Sequence, residues 1–283
     1  MKIIFTDLDG SLLDHNSYSF DPALEALKRV KELGIPLILC SSKTFAEMEI
    51  YSKKLQLKEP FIVENGSAVY FPASVTDVLK LHGLKKDGDY RYMELGVDRV
   101  RLIKVFNTIR RKKGFKIRSF SEMGLTQIME MTSLPKNEAV LAMKRKYTEP
   151  FIISEADSAR ACEIIDEFGS SGFNVVSGGR FFHLMGKTDK GAAVKKTIEI
   201  YSSSYSDKIH SIGIGDSEND LPMLSVVDFP ALVRKWDGSR IKSKAAEEFY
   251  RTDGIGPAGW NEAVLDFLQG KSDNDIQSGG VSK

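Results

Sequence analysis

The sequence contains little cysteine and almost no net charge. Only two of its 283 residues are cysteines, Cys40 and Cys162, and they form no CxxC pair or other metal-ligand spacing. A reducing, intracellular setting is therefore expected. The 40 basic and 39 acidic residues leave a formal charge of +1, which gives no reason to expect nucleic acid or a membrane surface as a partner.

Long apolar runs are also missing. The apolar run at 3–5 is followed by Thr6 and the charged Asp7, so it is too short for the apolar region of a signal peptide. No stretch approaches the roughly 20 apolar residues that are needed to span a bilayer. We therefore expect a cytoplasmic protein without a membrane partner. The sequence gives no indication of the oligomeric state.

What the chain does have is an alternation of strand and helix patterns at both ends. The elements predicted near the N-terminus are strand 2–6, helix 22–33, strand 35–40, helix 42–55 and strand 61–64. Near the C-terminus the predicted elements are helix 190–201, strand 209–214, helix 220–226 and strand 229–233. Strand–helix–strand repetition implies parallel strands with right-handed crossovers. The two ends therefore predict one α/β core.

The middle of the chain has a different pattern. It mixes short strand-like and helical runs with longer gaps, and it contains no phosphate-binding loop of its own. We predict an inserted α+β domain at 83–184 between two parts of the core, 1–82 and 185–270. Residues 271–283 are rich in Ser, Asp and Gly with little to bury, so a disordered tail is expected there.

Two carboxylates stand two residues apart directly after the first predicted strand. In an open α/β sheet, ligands bind beyond the carboxyl ends of the strands, where Asp7 and Asp9 would lie. Gly10 allows the chain to turn sharply there. Clustered carboxylates repel each other unless a cation joins them, and hard oxygen ligands suit Mg²⁺. The alternative is an ordinary turn, because Asp, Gly and Ser all favour turns.

A second acidic cluster follows the predicted strand 209–214. Asp216, Asn219 and Asp220 offer further oxygen ligands at a strand end. The alternative is that Asp216 or Ser217 simply caps a helix. The nearby glycines are no dinucleotide fingerprint, because the third glycine is missing. Two such clusters at opposite ends of the chain together predict a metal site.

Hydroxyl and cationic candidates lie between the two clusters. Ser41, Ser42 and Lys43 follow the second predicted strand, and hydroxyls and amides at a helix N-terminus bind phosphate well. A serine that only caps the helix is the alternative. Lys190 opens a predicted helix, where a cation opposes the helix dipole and so suggests another role. A solvated lysine is the alternative there.

These four segments, in this order, resemble the haloacid dehalogenase superfamily of phosphatases. DLDGSLLD is similar to its first motif, the strand ending at Ser41 to its second, the DKG that holds Lys190 to its third, and GDSEND to its fourth. The position of the insert resembles that of the α/β cap called C2B. The resemblance implies a Rossmann-like core with a parallel sheet plus an inserted α+β cap domain.

Longer phrases are similar to the mannosyl-3-phosphoglycerate phosphatases, over nearly the whole chain to about Leu268. They are FTDLDGSLLDHNSYSFDPALEAL, LCSSKT, FIVENGSAVYFP, KYTEPF, GGRFFHLMGKTDKGAAV and GPAGWNEAV. That family hydrolyses mannosyl-3-phosphoglycerate to mannosylglycerate, a compatible solute, and related members act on the glucosyl compound. One departure from the superfamily is Ser11, which stands where Thr is commoner and keeps the hydroxyl.

The resemblance implies roles for these residues. Asp7 would be the nucleophile that forms an aspartyl phosphate, and Asp9 the general acid and base. Lys190 and a hydroxyl would hold the phosphate; Ser41 and Ser42 both remain open, and we favour Ser41. Mg²⁺ would be held by the Asp7 side chain, the Asp9 carbonyl and the Asp216 side chain, while Asn219 and Asp220 would orient Lys190 or metal-bound waters.

Specificity is expected in the inserted domain, which could close over the site. Arg145, Lys146 and Arg180 are candidates for a glycerate carboxylate, and Asn65 and Ser67 could face the substrate from the core. The alternatives are exposed charges and a turn. His183 lies in an aromatic run, where a partly buried strand histidine explains it as well as a substrate contact does.

Three other functions are open. The first is a phosphatase for glucosyl-3-phosphoglycerate or another sugar phosphate such as sucrose, trehalose or hexose phosphate. A phosphomutase would share the first chemical steps. A binding module with an inactive site belongs to a different class, and it is disfavoured because all the expected catalytic groups are present.

Overall fold

The structure is a computed structural model, and it describes residues 1–178, 181–205 and 208–270. The strands of this part of the chain are β1 Lys2–Thr6, β2 Leu37–Cys40, β3 Phe61–Val63, β4 Ala68–Pro72, β5 Lys85–Asp87, β6 Tyr90–Glu94, β7 Ile117–Ser119, β8 Thr148–Ile153, β9 Asn174–Gly178, β10 Phe181–Met185, β11 His210–Gly215, β12 Phe229–Arg234 and β13 Tyr250–Ile255. The helices are α1 Leu24–Glu32, α2 Phe45–Lys54, α3 Ala73–Val78, α4 Arg99–Lys113, α5 Leu125–Thr132, α6 Lys136–Ala142, α7 Ala161–Ser170, α8 Lys190–Ser204, α9 Leu221–Leu224 and α10 Pro257–Leu268.

Nine strands form one large sheet in the order β13-β12-β11-β1-β2-β3-β4-β6-β5. The six strands from β13 to β3 are parallel, and β4, β6 and β5 continue the sheet in antiparallel pairs. Thr6 at the end of β1 lies beside Ile214 of β11 and Leu39 of β2. The segments that follow these three strands therefore meet at one edge of the sheet.

The large sheet is buried on both faces. Ile3 and Phe5 pack into the cluster under α8, whereas Ile4 packs into the cluster that contains Trp260 of α10. Successive side chains of a strand point to opposite faces, so a continuous apolar run requires helices on both sides. The α/β class and the mostly parallel sheet that the sequence predicts are confirmed.

Four strands form a second, antiparallel sheet in the order β7-β8-β10-β9. Its apolar cluster joins Phe106 of α4 and Phe168 of α7 to Phe151 and Leu184 of the sheet. These helices cover one face of the sheet. Residues that alternate with Leu184 along β10, such as His183, point to the other face.

Two strands within the predicted insert pair outside the second sheet. β5 and β6 lie between residues 83 and 184, yet they extend the large sheet through the pairing of β6 with β4. All strands of the second sheet lie between Ile117 and Met185. In the described part of the chain, no helix combines the length and apolar character that a membrane crossing requires. The predicted tail, 271–283, lies outside the described residues.

Candidate active site

The end of β1 is fixed in place by hydrogen bonds on two sides. The Asp7 N–H donates to the carbonyl of Ile214 on β11, at 2.9 Å. Behind it, the indole N–H of the fully buried Trp260 donates to Thr6 Oγ1 at 2.9 Å, and Thr6 Oγ1 donates to the Asp7 carbonyl at 2.7 Å. The backbone that carries the predicted nucleophile is therefore held rigidly.

Lys190 joins the two acidic segments. It is the first residue of α8, whose N-cap Asp189 accepts a hydrogen bond from the Ala192 N–H. Its ammonium lies 2.6 Å from Asp7 Oδ1 and 2.6 Å from Asp220 Oδ1, and all three side chains are buried. Burial alone would lower the pKa of Lys190, but Asp220 and Asp7 outweigh it and the net shift is upward. Lys190 is thus a charged group at the centre of the cluster.

Asp220 uses both of its carboxylate oxygens within the protein. Oδ1 accepts from Lys190, and Oδ2 accepts from the backbone N–H groups of Asp216 and Ser217 at 3.1 and 3.0 Å. The same loop is closed by Ser217, whose hydroxyl bonds to Asn219 Oδ1 at 2.6 Å. The Asp220 carboxylate therefore orients Lys190 and shapes the turn.

The carboxylates of the cluster fit a divalent cation. Asp7, Asp216 and Asp220 each offer an oxygen within 4.8 Å of the others. Asp216 Oδ1 is buried without a hydrogen-bond partner in the described part of the chain. Gly10 has a φ of +82°, and a Cβ there would lie 2.8 Å from Asp216 Oδ2, so only glycine leaves that carboxylate its space. Unpartnered carboxylate oxygens at close range are the donor set that Mg²⁺ prefers.

The electrostatics of the cluster agree with this fit. Burial raises the pKa of Asp7 well above its usual range; Lys190 opposes the shift, and Asp220 and Asp216 add to it. Burial, and then the charge of Asp220, raise the pKa of Asp216 to about 7. A bound cation would relieve both effects, because it favours the ionised form of each carboxyl.

Asp9 is paired with Lys43 at the mouth of the site. Asp9 Oδ2 lies 2.8 Å from the Lys43 ammonium, and Asp9 Oδ1 is buried with no hydrogen-bond partner within residues 1–178, 181–205 and 208–270. The ammonium also lies 5.4 Å from the ring centre of Tyr18 and 5.6 Å from that of Tyr51. Burial opposes the charge on Lys43, but Asp9 and Glu47 raise its pKa overall.

The segment after β2 leaves its serines free of helix capping. Thr44 caps α2 and forms a capping box with Glu47, so neither Ser41 nor Ser42 is the N-cap. Ser41 Oγ accepts a hydrogen bond from the Lys43 N–H at 3.3 Å. The capping alternative for these serines is therefore wrong.

The loop between β3 and β4 reaches three parts of the site. Asn65 has a φ of +57°, and its Oδ1 accepts from Asn219 Nδ2 at 3.1 Å. Asn65 Nδ2 and Ser67 Oγ are both buried and have no hydrogen-bond partner among the described residues. Gly66 packs so closely on the Asp189 backbone that a Cβ would clash with its carbonyl. Asn65 and Ser67, two sequence candidates, thus border the cluster.

Glu64 is a residue that the sequence analysis missed. This buried carboxylate, from the loop next to Asn65, accepts from the N–H groups of Lys146 and Tyr147 at 2.8 and 3.1 Å and from Thr148 Oγ1 at 2.7 Å. It joins the core to the start of β8. A signal was present in the sequence, since Glu64 directly follows a buried strand just as Asp7 does.

The candidates from the insert, just before β8, have different positions. Arg145 donates to the Ser42 carbonyl and to Thr148 Oγ1, each at 3.0 Å, so it lies over the segment after β2. Lys146 instead pairs with Asp87 at 2.7 Å. Arg180 lies outside the described residues.

Comparisons with known proteins define the class. The model of the haloacid dehalogenase-like hydrolase family matches residues 4–245. A glucosyl-3-phosphoglycerate/mannosyl-3-phosphoglycerate phosphatase of Methanococcoides burtonii is 43% identical over 272 residues, 96% of this chain and 98% of the relative. A protein of the same description from Persephonella marina is 39% identical over 284 residues, with 98% and 99% covered. A mannosyl-3-phosphoglycerate phosphatase of Pyrococcus furiosus is 36% identical over 233 residues, with 82% and 91% covered.

The chain therefore belongs to the haloacid dehalogenase-like hydrolase family. Within that class it is similar over nearly its full length to the mannosyl-3-phosphoglycerate phosphatases, which confirms the family named from the motifs.

Solved structures agree in fold. A Thermoplasma acidophilum protein superposes with a TM-score of 0.66 at 20% identity, covering 95% of this chain and 98% of that one. The sucrose-phosphatase of Synechocystis superposes with a TM-score of 0.61 at 12% identity, covering 94% and 97%. At these identities the similarity supports the fold and no finer statement.

Proposed function

We propose that the protein is a magnesium-dependent phosphatase that hydrolyses mannosyl-3-phosphoglycerate to mannosylglycerate and phosphate. The observation that carries this proposal is the buried ammonium of Lys190, 2.6 Å from both Asp7 and Asp220 at the strand ends. The relatives above are named for this substrate and, in two cases, for the glucosyl compound as well. Hydrolysis of glucosyl-3-phosphoglycerate is accordingly the second candidate.

The proposed chemistry has two displacements. Asp7 attacks phosphorus and forms an aspartyl phosphate, while the leaving alkoxide takes a proton from Asp9. Water then attacks the aspartyl phosphate, and Asp9 accepts the proton that this water loses. Lys190 favours the ionised form of Asp7 and orients it, since its ammonium contacts the carboxylate directly.

The metal site would use the unpartnered oxygens of the cluster. The Asp7 and Asp216 carboxylates and the Asp9 carbonyl would hold Mg²⁺, with Asn219 and Asp220 shaping the loop behind them. Bound there, Mg²⁺ would supply positive charge that screens Asp7 from the phosphate and stabilises the transferring group. The buried, unpartnered Asp216 Oδ1 supports this assignment.

The substrate would lie between the core and the second sheet. The Ser41 hydroxyl, favoured over Ser42, and the Lys43 ammonium would hold the phosphate, while Asn65 would approach the substrate from the core. Arg145, which reaches the Ser42 carbonyl, would contribute from the insert, and Arg180 stays a further candidate.

We propose an insert that corresponds to a C2B cap. It would begin after β6 and not at residue 83, because β5 and β6 extend the large sheet. We also propose a cytoplasmic location, in keeping with two unpaired cysteines.

Side-by-side kinetics would test the proposal. Phosphate release from mannosyl- and glucosyl-3-phosphoglycerate and from plain hexose phosphates is measured with Mg²⁺ and with EDTA. A Mg²⁺-dependent preference for the mannosyl compound is expected. A preference for a hexose phosphate would overturn the substrate assignment but leave the proposed chemistry standing. Turnover that survives Asp7→Asn would overturn the proposed aspartyl-phosphate intermediate.

A further inference from the structure

One face of the second sheet looks toward the catalytic cluster. Leu184 and Phe182 of β10 pack with the helices on the far face, so His183 between them points the other way. At one side of β10, β9 packs against residues 218–220 of the core. At the other side, near the start of β8, Arg145 donates to the Ser42 carbonyl. Because β10 lies between β8 and β9, His183 lies between these two contacts with the core.

Two polar atoms on this face have no hydrogen-bond partner among the residues that the structure describes. His183 is 5% exposed, and its Nδ1 is buried without a hydrogen bond. Arg145 uses Nη1 for Ser42 and Thr148, but its Nε is likewise buried without a partner. A buried polar group left unpaired costs about 1–3 kcal/mol, so two of them on one face indicate a group that a ligand completes.

Arg145 lies beside the strand that carries His183. It bonds to Thr148, which pairs with Met185 of β10, and its guanidinium lies 6.0 Å from the ring centre of Phe120, whose ring contacts Phe181 of β10. Burial, and next the charge of Arg145, lower the pKa of His183 to about 3. The imidazole is therefore neutral at ordinary pH and can present one N–H donor, whereas the guanidinium keeps its charge. Gly178 flanks the ring, and a Cβ there would lie 3.2 Å from His183 Nε2, so the neighbouring strand leaves the ring its space.

We propose that Arg145 and His183 together bind the carboxylate of the substrate's glycerate unit, Arg145 through Nε–H and His183 through Nδ1–H. The proposal rests on the function proposed above and names the group that the insert recognises. A carboxylate fits better than a sugar hydroxyl, because it accepts both hydrogen bonds and neutralises the guanidinium. The position also fits, since glycerate carries its carboxylate and phosphate on one three-carbon chain and Arg145 lies over the proposed phosphate segment.

The test compares two substrates that differ in this group alone. The kcat/KM for mannosyl-3-phosphoglycerate is divided by that for the analogue with the carboxylate reduced to an alcohol. His183→Leu should lower this ratio about 10- to 100-fold through KM, as expected for a lost hydrogen bond to a charged group. Arg145→Lys should lower it as well, and the double variant by less than the product of the two effects, because both residues bind one carboxylate.

Two further variants guard against misreading the result. Arg118→Met removes a guanidinium from β7 of the same sheet, where it bonds to Gln127 and the Glu122 carbonyl, and should leave the ratio unchanged. His183→Gln keeps a polar group in a folded strand. It should still lower the ratio, because the glutamine amide cannot place a donor where His183 Nδ1–H lies. A His183 variant that loses activity on both substrates equally would show a purely structural role and overturn the proposal.

Binding without turnover separates this proposal from the function. Glycerate is titrated calorimetrically into the wild-type protein and into His183→Leu, and weaker binding by the variant is expected. Equal binding by both proteins, or no binding by the wild type, would overturn the carboxylate site. The protein could also bind glycerate, more weakly as His183→Leu, and yet hydrolyse neither mannosyl- nor glucosyl-3-phosphoglycerate. That result would retain the carboxylate site and overturn the proposed reaction.

Discussion

Lys190 is the residue on which the buried charges of the site depend. Its ammonium is the shared partner of Asp7 and Asp220, and none of the three side chains is appreciably exposed. Burial of two carboxylates is tolerable only while a cation lies between them, because an unpaired buried charge is far more costly than a paired one.

Replacing Lys190 by Met should therefore lower the stability of the folded protein and abolish turnover. We expect a loss of about 3–5 kcal/mol in the free energy of unfolding, the usual result of removing one partner of a buried pair. Urea denaturation measures it. Lys196→Met on the same helix, whose ammonium pairs with Glu199 at the surface, is the control and should change stability by less than about 1 kcal/mol. Equal stability of the two variants would contradict the electrostatic role.

Asp216 should make the stability of the metal-free protein depend on pH. Its pKa is raised to about 7 from a usual 3.8, so the folded protein holds a proton that the unfolded chain releases. That contribution to stability is complete below about pH 4 and is lost as the pH rises through about 7. In EDTA, Asp216→Asn should accordingly be more stable than the wild type at pH 8, on the order of 1–3 kcal/mol, and should differ less at pH 5. A difference that does not change with pH would contradict the shift.

At the scale of elements, two segments of the core, one after β2 and one after β3, hold the insert. Glu64 receives three hydrogen bonds from the start of β8, and Thr44 of the core donates to the Leu141 carbonyl at 3.0 Å. Both contacts come from segments that border the catalytic cluster. The position of the insert is therefore fixed by the same loops that hold the proposed phosphate site.

Glu64→Gln tests this joint. A glutamine has one acceptor oxygen and one amide nitrogen, so it cannot satisfy donors that approach both ends of the group. We expect a loss of about 1–3 kcal/mol in stability and faster hydrogen exchange at the amides of Lys146 and Tyr147. Glu25→Gln, an exposed change on α1, should alter neither. Unchanged exchange at the two amides would show that Glu64 does not hold the insert.

At the scale of the whole molecule, the proposed metal would connect segments more than two hundred positions apart in the sequence. Asp7 and Asp216 follow β1 and β11, which are neighbours in the large sheet. A ligand that binds only the folded state stabilises it in proportion to the logarithm of its concentration.

Saturating Mg²⁺ should therefore raise the midpoint of urea unfolding. At about 100 times the dissociation constant the gain is about 2.7 kcal/mol. The same titration of Asp216→Asn should show a much smaller gain, because one proposed ligand has lost its charge. An equal gain in both proteins would place the bound metal elsewhere.

Several features of the fold and the site could be predicted from the sequence. The apolar runs before Asp7 and Asp216 predict buried strands, and a chain that leaves such a strand must emerge at a sheet edge, so its acids had to lie near a ligand site. Lys190 was identified as the start of a helix. One local prediction was wrong: helix 22–33 was expected to begin at residue 22, but a short 3₁₀ turn, Asp21–Ala23, comes first and α1 starts at Leu24.

Other features depended on contacts between distant segments. The antiparallel strands β4 to β6 extend the large sheet because their partners lie beside β3, which no local pattern states. Glu64 gains its role only because the start of β8 is brought to it. His183 became informative through burial beside Arg145, since an unpartnered atom can be recognised only when its surroundings are known. The sequence by itself determined which chemical groups end the strands, because local periodicity specifies strands; only the tertiary structure decided which of those groups meet, because meeting depends on strand order and on how the two sheets are joined.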